Sequence, residues 1–548
     1  MRGPQDRTPT GAPIIGCGTG RWDGGIGLER LDADDAVRQL PDGAVVALCG
    51  NGSILQPESL LRALESGFLR GGHPRDLTIF YPVVVGAEPG TGIDRLAYPG
   101  LVREVIASCF DIWGIDRMAR MVREDAVRAH CLPMGIMFQL LRAAADGQPG
   151  ILSRIGLDTF VDPEVRGTGH NNRTPESLAE RRTLDGEHWL FYRAPAVNAA
   201  LLCATVADED GNLSLYREPI RQGVLAMALA ARARRGKVLA QVRAVVRRGT
   251  LPAARVDVPG CLVDVVVVDP DQKQTVLSLD DPALTGEWAL PPPPSVPTAV
   301  GIDRVIARRA AMELRPGMVI NLGFGLATQV AQVVAEEGLA GRITFSVEHG
   351  PLGGTPTPNE IFGAAVSPTC ILRSGDVFAL YHSGQLDMAI LSAAEVDAEG
   401  NANVSRFGDA MPGPGGYIDI TAGTRDLILL CGVRAGGARL QVTGEGVRVE
   451  RQGRVPRFVP QVRERTFSAR AARARGARVR YLTDRCAFEL GPSGLVLSEV
   501  APGIDVERDV LAQMEFRPQV APSPRIWPRA LLAPGPMDLG RWWSGPFA

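Results

Sequence analysis

Arg342-Ile-Thr-Phe-Ser-Val-Glu-His-Gly-Pro-Leu-Gly-Gly354 is the stretch on which the reading of this chain turns. Its first half alternates: Ile343, Phe345 and Val347 are apolar, while Thr344, Ser346 and Glu348 are polar or small. A period of two predicts a β-strand. The strand runs into a carboxylate, Glu348, and Gly350, Gly353 and Gly354 follow within six residues. Glycine has no Cβ, so backbone there can approach a ligand closely and adopt positive φ. A carboxylate at a strand end beside accessible N–H groups is a candidate reactive centre. Taken alone, a surface glutamate beside an ordinary turn is the commoner reading, and the flanking sequence has to decide.

Upstream, Arg304 to Leu314 has the pattern of an amphipathic helix. Arg315-Pro-Gly-Met-Val-Ile-Asn-Leu322 then reads as a turn and a strand, followed by Gly323-Phe-Gly325 and a helix over Leu326 to Val334. The same order occurs earlier. Leu40-Pro-Asp-Gly43 turns into the strand Ala44 to Leu48, then comes Cys49-Gly-Asn-Gly52 and a helix starting near Pro57. Asp76 to Tyr81, Lys237 to Val242 and Cys261 to Val268 read as further strands, and Arg221 to Arg235 as a helix. The turn Asp208-Glu-Asp-Gly-Asn212 is echoed by Asp397-Ala-Glu-Gly-Asn401. Arg-rich helices ending at Gly236 and Gly476, each before a strand, form a further echo, and both glycines read as C-terminal caps. The chain is therefore expected to be α/β: two similar open α/β domains, fused in tandem, with a cleft between them.

Length alone calls for more than one core, and the segments separate as follows. Residues 1–29 form a Gly/Pro-rich leader with no periodicity, read as disordered. Residues 30–288 are the first α/β domain, the proline run within 289–300 is a stiff linker, and 301–520 are the second domain, which carries Glu348. Residues 521–548 hold Trp527, Trp542 and Trp543 among prolines, and read either as a tail packed on the body or as an appendage.

A net charge of −2 gives no electrostatic footprint for nucleic acid or an anionic membrane. Nine cysteines without CxxC spacing argue for reduced thiols, and six histidines without an HExxH pair argue against a metal site. No apolar run reaches membrane-spanning length, and the first residues lack the order of a signal peptide, so a cytoplasmic location is expected. Gly323-Phe-Gly325 is only part of a dinucleotide fingerprint, since no third glycine follows. A glycine loop at a helix start still offers N–H donors to an oxyanion, and the loop should lie near Glu348 if consecutive strands are neighbours.

The whole pattern resembles the family I coenzyme A transferases, specifically the fused single-chain kind typified by propionate and acetate/3-ketoacid CoA-transferases. The carrying stretches in the second half are Ser346-Val-Glu-His-Gly-Pro-Leu-Gly-Gly354, Phe362-Gly-Ala364, Gly384-Gln-Leu-Asp-Met-Ala389, Glu395 to Ser405, Pro414-Gly-Gly-Tyr-Ile-Asp-Ile420 and Glu499-Val-Ala-Pro-Gly-Ile-Asp505. Arg75-Asp-Leu-Thr78, Gly156 to Pro163 and Ala207 to Asn212 fit in the first half. The resemblance covers about residues 31–520. It implies that Glu348 is a nucleophile that exchanges CoA between an acyl-CoA and a free carboxylic acid by a ping-pong route through a glutamyl-CoA thioester. It also implies a homo-oligomer, with CoA as substrate and no permanently bound cofactor or metal.

Gly323, Phe324, Gly325, Gly350, Gly353, Gly354, Gly415 and Gly416 are the candidates for holding CoA and the oxyanion. An acyl-CoA hydrolase using the same glutamate, or a non-catalytic CoA-binding relative, are the alternatives. Three departures fall around the acyl site. The loop Tyr81 to Gly90 lacks the family's glutamine, the first glycine loop reads Cys49-Gly-Asn-Gly-Ser53, and Pro351 and Thr355-Pro-Thr-Pro358 stand where smaller residues are usual. Strand alternation predicts that His349 points away from Glu348.

Overall fold

Short aliphatic runs, most of them followed by a helix, build two sheets in the computed structural model, which describes residues 20–21, 28–112, 115–290, 300–357 and 359–543. In the first sheet the order is Glu29–Leu31, Val265–Val268, Lys237–Val246, Ala199–Asp208, Val45–Leu48, Leu77–Tyr81, Val102–Ala107 and Arg128–Cys131, with every neighbour parallel. The second sheet centres on Thr344–Ser346, Val319–Leu322, Met388–Ser392, Asp426–Leu430 and Arg478–Leu482, again parallel. Strands inside a parallel sheet are covered on both faces. The alternation of Thr344, Phe345 and Ser346 is therefore one of polarity and not of exposure: Phe345 and Ser346 are both buried.

The repeat is visible in hydrogen bonds as well as in strand order. Asp208 Oδ1 accepts from the amides of Asp210 and Asn212, and Asn212 Nδ2 donates to Asp208 Oδ2. Asp397 does the same with the amides of Glu399 and Asn401 and with Asn401 Nδ2. Gly211 and Gly400 sit at φ 80° and 92°, which the turn requires and only glycine adopts cheaply.

Three sequence expectations change in detail. The strand read over Cys261 to Val268 begins only at Val265, because Gly260–Leu262 is a 3₁₀ turn. Gly260 packs so tightly there that a Cβ would lie 1.9 Å from the Asp210 carbonyl oxygen. At the end of the helix Val224–Ala233, Arg235 and not Gly236 takes the left-handed conformation, at φ 54°. Gly236 is needed because a Cβ would lie 1.9 Å from the Asn198 carbonyl oxygen, whereas Gly476 does cap its helix at φ 71°. Sheet position also matches Lys237–Val246 to Asp426–Leu430, each beside the strand that precedes or carries the Asp…Gly-Asn turn, and not to Arg478–Leu482.

The two halves share one continuous hydrophobic core. The helix Met134–Ala145 packs on Ser374–His382, where the rings of Phe138 and Phe378 stack at 6.2 Å, and the Gly135 amide donates to Asp419 Oδ2 at 3.0 Å. The leader, apart from 20–21 and 28–29, the 291–299 part of the linker and residues 544–548 lie outside the described residues. The described part of the last segment packs on the body. Gln519–Ile526 is a strand of the second sheet, and Trp527 and Trp543 are buried in a core of the second half.

A charged knot ties these last elements down. Glu499 accepts from Arg309 Nε and Nη2 at 2.8 and 2.7 Å, from Arg525 Nη2 at 2.8 Å and from Trp527 Nε1 at 3.0 Å. Arg309 also pairs with Glu313, whose carboxyl burial would raise but Arg480 and Arg309 hold down at about 2. Removing Glu499 leaves Arg309 Nε and the Trp527 indole N–H buried without their acceptor, while Arg309 keeps Glu313, at a cost of about 1–3 kcal/mol. Glu499→Ala should therefore lower the thermal midpoint and red-shift the emission of buried tryptophan, and a melting curve equal to that of the parent chain would refute this.

Candidate functional site

Glu348 follows the end of Thr344–Ser346 at the edge of a cavity of about 750 Å³ that both halves line. Val83, Cys109, Asp111, Ile112 and Met134 come from the first half, and Phe324, Phe362, Leu391, Val404, Phe407 and Tyr417 are among those from the second. The carboxylate is 7% exposed. Asn321 Nδ2, on the neighbouring strand, lies 3.3 Å from Glu348 Oε2, and at the same distance from the Ser346 carbonyl oxygen and the Tyr381 hydroxyl. Tyr381 and Ser346 hydroxyls bond each other at 2.8 Å. Burial raises the Glu348 pKa, while its own backbone amide and the Asn321 amide oppose the rise. Burial and, further, the charge of Glu348 push the Cys109 thiol up, which records how closely the first half approaches this carboxylate.

His349 does not point away. It lines the same cavity, because pleated alternation ends with the strand and residues 348–350 lie in the turn that follows. The ring is 2% exposed, held T-shaped against Phe362 at 5.8 Å, and burial lowers its pKa to about 3, so it is neutral. Beside it Asn51, from the first glycine loop, donates through Nδ2 to the Phe362 carbonyl at 2.8 Å. Gln222 fixes that loop by bonding both the amide and the carbonyl of Gly50.

The candidate glycines divide. Gly323, Phe324, Gly415 and Gly416 lie on the cavity, while Gly325, Gly350, Gly353 and Gly354 are not part of its lining. Gly353 and Gly354, at φ 73° and 67°, let the turn after Glu348 fold back against Thr369 and Ser367, and the Gly353 amide donates to the Phe345 carbonyl at 2.7 Å. Gly350 packs on the Leu372 carbonyl oxygen, 2.6 Å from where a Cβ would sit. The room these glycines make is for their own hairpin. On the cavity, the Gly323 amide donates to Ile390 and the Gly415 amide to Ser108, so both N–H groups are already engaged. The Gly413–Gly416 segment also joins the halves: the Met134 amide donates to Gly415, and a Cβ on Gly413 would lie 2.4 Å from the Ser108 carbonyl oxygen.

Sequence reasoning missed Asn321, Tyr381, Asn51 and Met134. Asn321 had a signal, since a polar amide inside the buried run Met318-Val-Ile-Asn-Leu322 needs a partner. The others did not, because their importance comes from contacts across up to 311 residues of chain.

Three findings place the chain among known proteins. Residues 30–269 match the family model described as Coenzyme A transferase. The chain is 36% identical over 93% of its length to Acetate CoA-transferase YdiF of Escherichia coli K12, covering 96% of that protein, and 36% identical over 90% to Caffeate CoA-transferase of Acetobacterium woodii, covering 95%. Among solved structures, the acyl-CoA transferase YdiF of E. coli O157:H7, in a thioester complex with CoA, superposes with a TM-score of 0.88 at 34% identity, over 95% of this chain and 99% of that one.

Because the Glu348 pKa is raised on folding, its contribution to stability is fully present below the unfolded-state value and is lost as pH rises through the folded value. At neutral pH the buried carboxylate is thus a net cost. Glu348→Gln should raise the apparent melting temperature at pH 7 by about 1–3 °C, and the gain should shrink as pH falls into the ordinary glutamate range; a lowered midpoint at pH 7 contradicts this reading.

Proposed function

Since the chain belongs to the coenzyme A transferase family, we propose that it exchanges CoA between an acyl-CoA and a free carboxylic acid with Glu348 as its covalent nucleophile. It is a transferase. The observation that carries the assignment of Glu348 is its position: a buried carboxylate, bonded to Asn321, at a cavity lined by both halves. A Glu348 carboxylate oxygen attacks the thioester carbonyl carbon, the C–S bond breaks, and CoA leaves as thiolate from a mixed anhydride. The thiolate returns to the glutamyl carbonyl, the anhydride C–O bond breaks, and the donor acid departs, leaving a glutamyl-CoA thioester. The acceptor carboxylate runs the same steps backwards. No net proton, metal or nucleotide is consumed.

A carboxylate is a weak nucleophile, so rate has to come from placement, from desolvation and from donors aimed at the developing oxyanion. Asn321 Nδ2 places the carboxylate. Of the candidate glycines that line the cavity, Gly416, just before the helix Tyr417–Gly423, is the one taken for the oxyanion, since the Gly323 and Gly415 amides have other partners. Residues 30–288 and 301–520 act as the two transferase units around this cavity. The apolar walls favour an acid over water as acceptor, and so transfer over hydrolysis. The relatives' own names, acetate for one and caffeate for the other at the same identity, do not select the acyl group.

Incubation with an acyl-CoA should add CoA to the peptide containing Glu348, read by mass spectrometry after mild digestion. Glu348→Ala should lose exchange by a factor of about a thousand or more while keeping its fold. An unlabelled peptide together with full activity of that variant would sink the assignment. The rate of thioester formation should fall on the acid side at a pH above that of an ordinary glutamate, because burial raises the carboxyl's pKa and only the ionised form attacks.

A further inference from the structure

Resting on that reading of the cavity, we propose that its acyl end takes monocarboxylates longer than acetate, uncharged and apolar beyond the reacting carboxyl, and turns away short dicarboxylates. At about 750 Å³ the cavity has space for far more than an acetyl group. Val83, Ile112 and Met134 from the first half and Phe362, Val404 and Ile420 from the second make most of its wall apolar, with His349, Ser392 and Tyr417 as the uncharged polar groups on it. Val83 stands in the loop after Leu77–Tyr81 in which the resemblance leads one to look for a glutamine, so an apolar side chain faces the acyl group's space from that side.

The charges around the cavity have the wrong sign for a second carboxylate. Among the described lining residues, Asp111, Glu348 and Glu395 are acidic and Arg457 is the one cation. Asp111 pairs with Arg123 at 2.9 Å, and Glu395 accepts from Asn403 Nδ2 and the Arg463 amide. Arg457 donates to the Ala393 carbonyl, just beyond the strand Met388–Ser392. That strand is two places from Thr344–Ser346 in the sheet, a lateral offset of about 10 Å. A four-carbon diacid separates its carboxyl carbons by roughly 4–5 Å, three C–C bonds of about 1.5 Å. With one carboxyl at Glu348 the other therefore falls short of Arg457 and is left desolvated beside neutral groups alone, which is strongly unfavourable for a second charge. A growing alkyl chain gains from the same walls, about three- to fourfold in kcat/KM per buried methylene.

The test uses the full chain with acetyl-, butyryl-, hexanoyl- and succinyl-CoA as donors and one fixed acceptor acid. Thioester formation on Glu348 and kcat/KM are followed for each. Butyryl and succinyl have the same number of carbons and differ in the terminal group, so their ratio isolates the charge. We expect kcat/KM to rise from acetyl to hexanoyl and succinyl-CoA to fall at least a hundredfold below butyryl-CoA. Succinyl-CoA within fivefold of butyryl-CoA, or acetyl-CoA as the best donor, overturns the inference while leaving the transferase reading intact. If no donor labels Glu348, the transferase reading fails and the inference with it. Val404→Arg, which sets a cation in the wall, should raise the succinyl-to-butyryl ratio at least tenfold; an unchanged ratio in the folded variant counts against the charge argument.

Discussion

Burying Glu348 sets two demands against each other. In the proposed role of nucleophile it has to be ionised, and ionisation is what burial disfavours. The chain answers with a small set of donors: the residue's own amide and Asn321 Nδ2, the latter on the adjacent parallel strand and shared with Ser346 and Tyr381. The Asn321 bond at 3.3 Å is long, so it orients the carboxylate more than it quenches it. A carboxylate gripped by an arginine would be fully stabilised as an anion and correspondingly poor at attack. Around Glu348 the sheet supplies an amide and the helix Ser374–His382 a phenol instead.

That arrangement exists only because the halves close on each other. The first half brings Asn51, Val83, Cys109 and Met134 to a carboxylate that belongs to the second, and the Gly413–Gly416 segment threads between them with its amides and carbonyls bonded across. Gly413 is small for that reason, since a side chain there would run into Ser108, whereas Gly415 is favoured by its φ of 54°. The interface is therefore part of the site, and the cavity's shape depends on the packing of Met134–Ala145 against Ser374–His382.

Much of this was legible in the sequence, and for definable reasons. Parallel strands write themselves as short apolar runs, and the Asp…Gly-Asn turns repeat because the same aspartate caps the same amides in each half. Glu348 was legible once its glycines and flanking motifs were read together. The functions of those glycines were not: a positive φ and a close backbone approach look alike in sequence whether they serve a ligand or a hairpin, and for Gly350, Gly353 and Gly354 the hairpin claims them. His349 was misread because alternation was carried three residues past the end of the strand at Ser346. Trp527 was ambiguous because its partner, Glu499, announces itself only through a buried arginine from a helix 190 residues upstream.

The knot at Glu499 has a consequence for how the protein is made. Arg309 emerges from the ribosome long before Glu499, and Arg525 and Trp527 come later still. Until then the guanidinium of Arg309 has Glu313 beside it but not the carboxylate that joins its helix to the last strand. The second half therefore completes its buried contacts only after its last strand has been made, and a sheet lacking that strand has an unpaired edge open to self-association. One carboxylate there gathers partners from two stretches of chain that lie more than 200 residues apart.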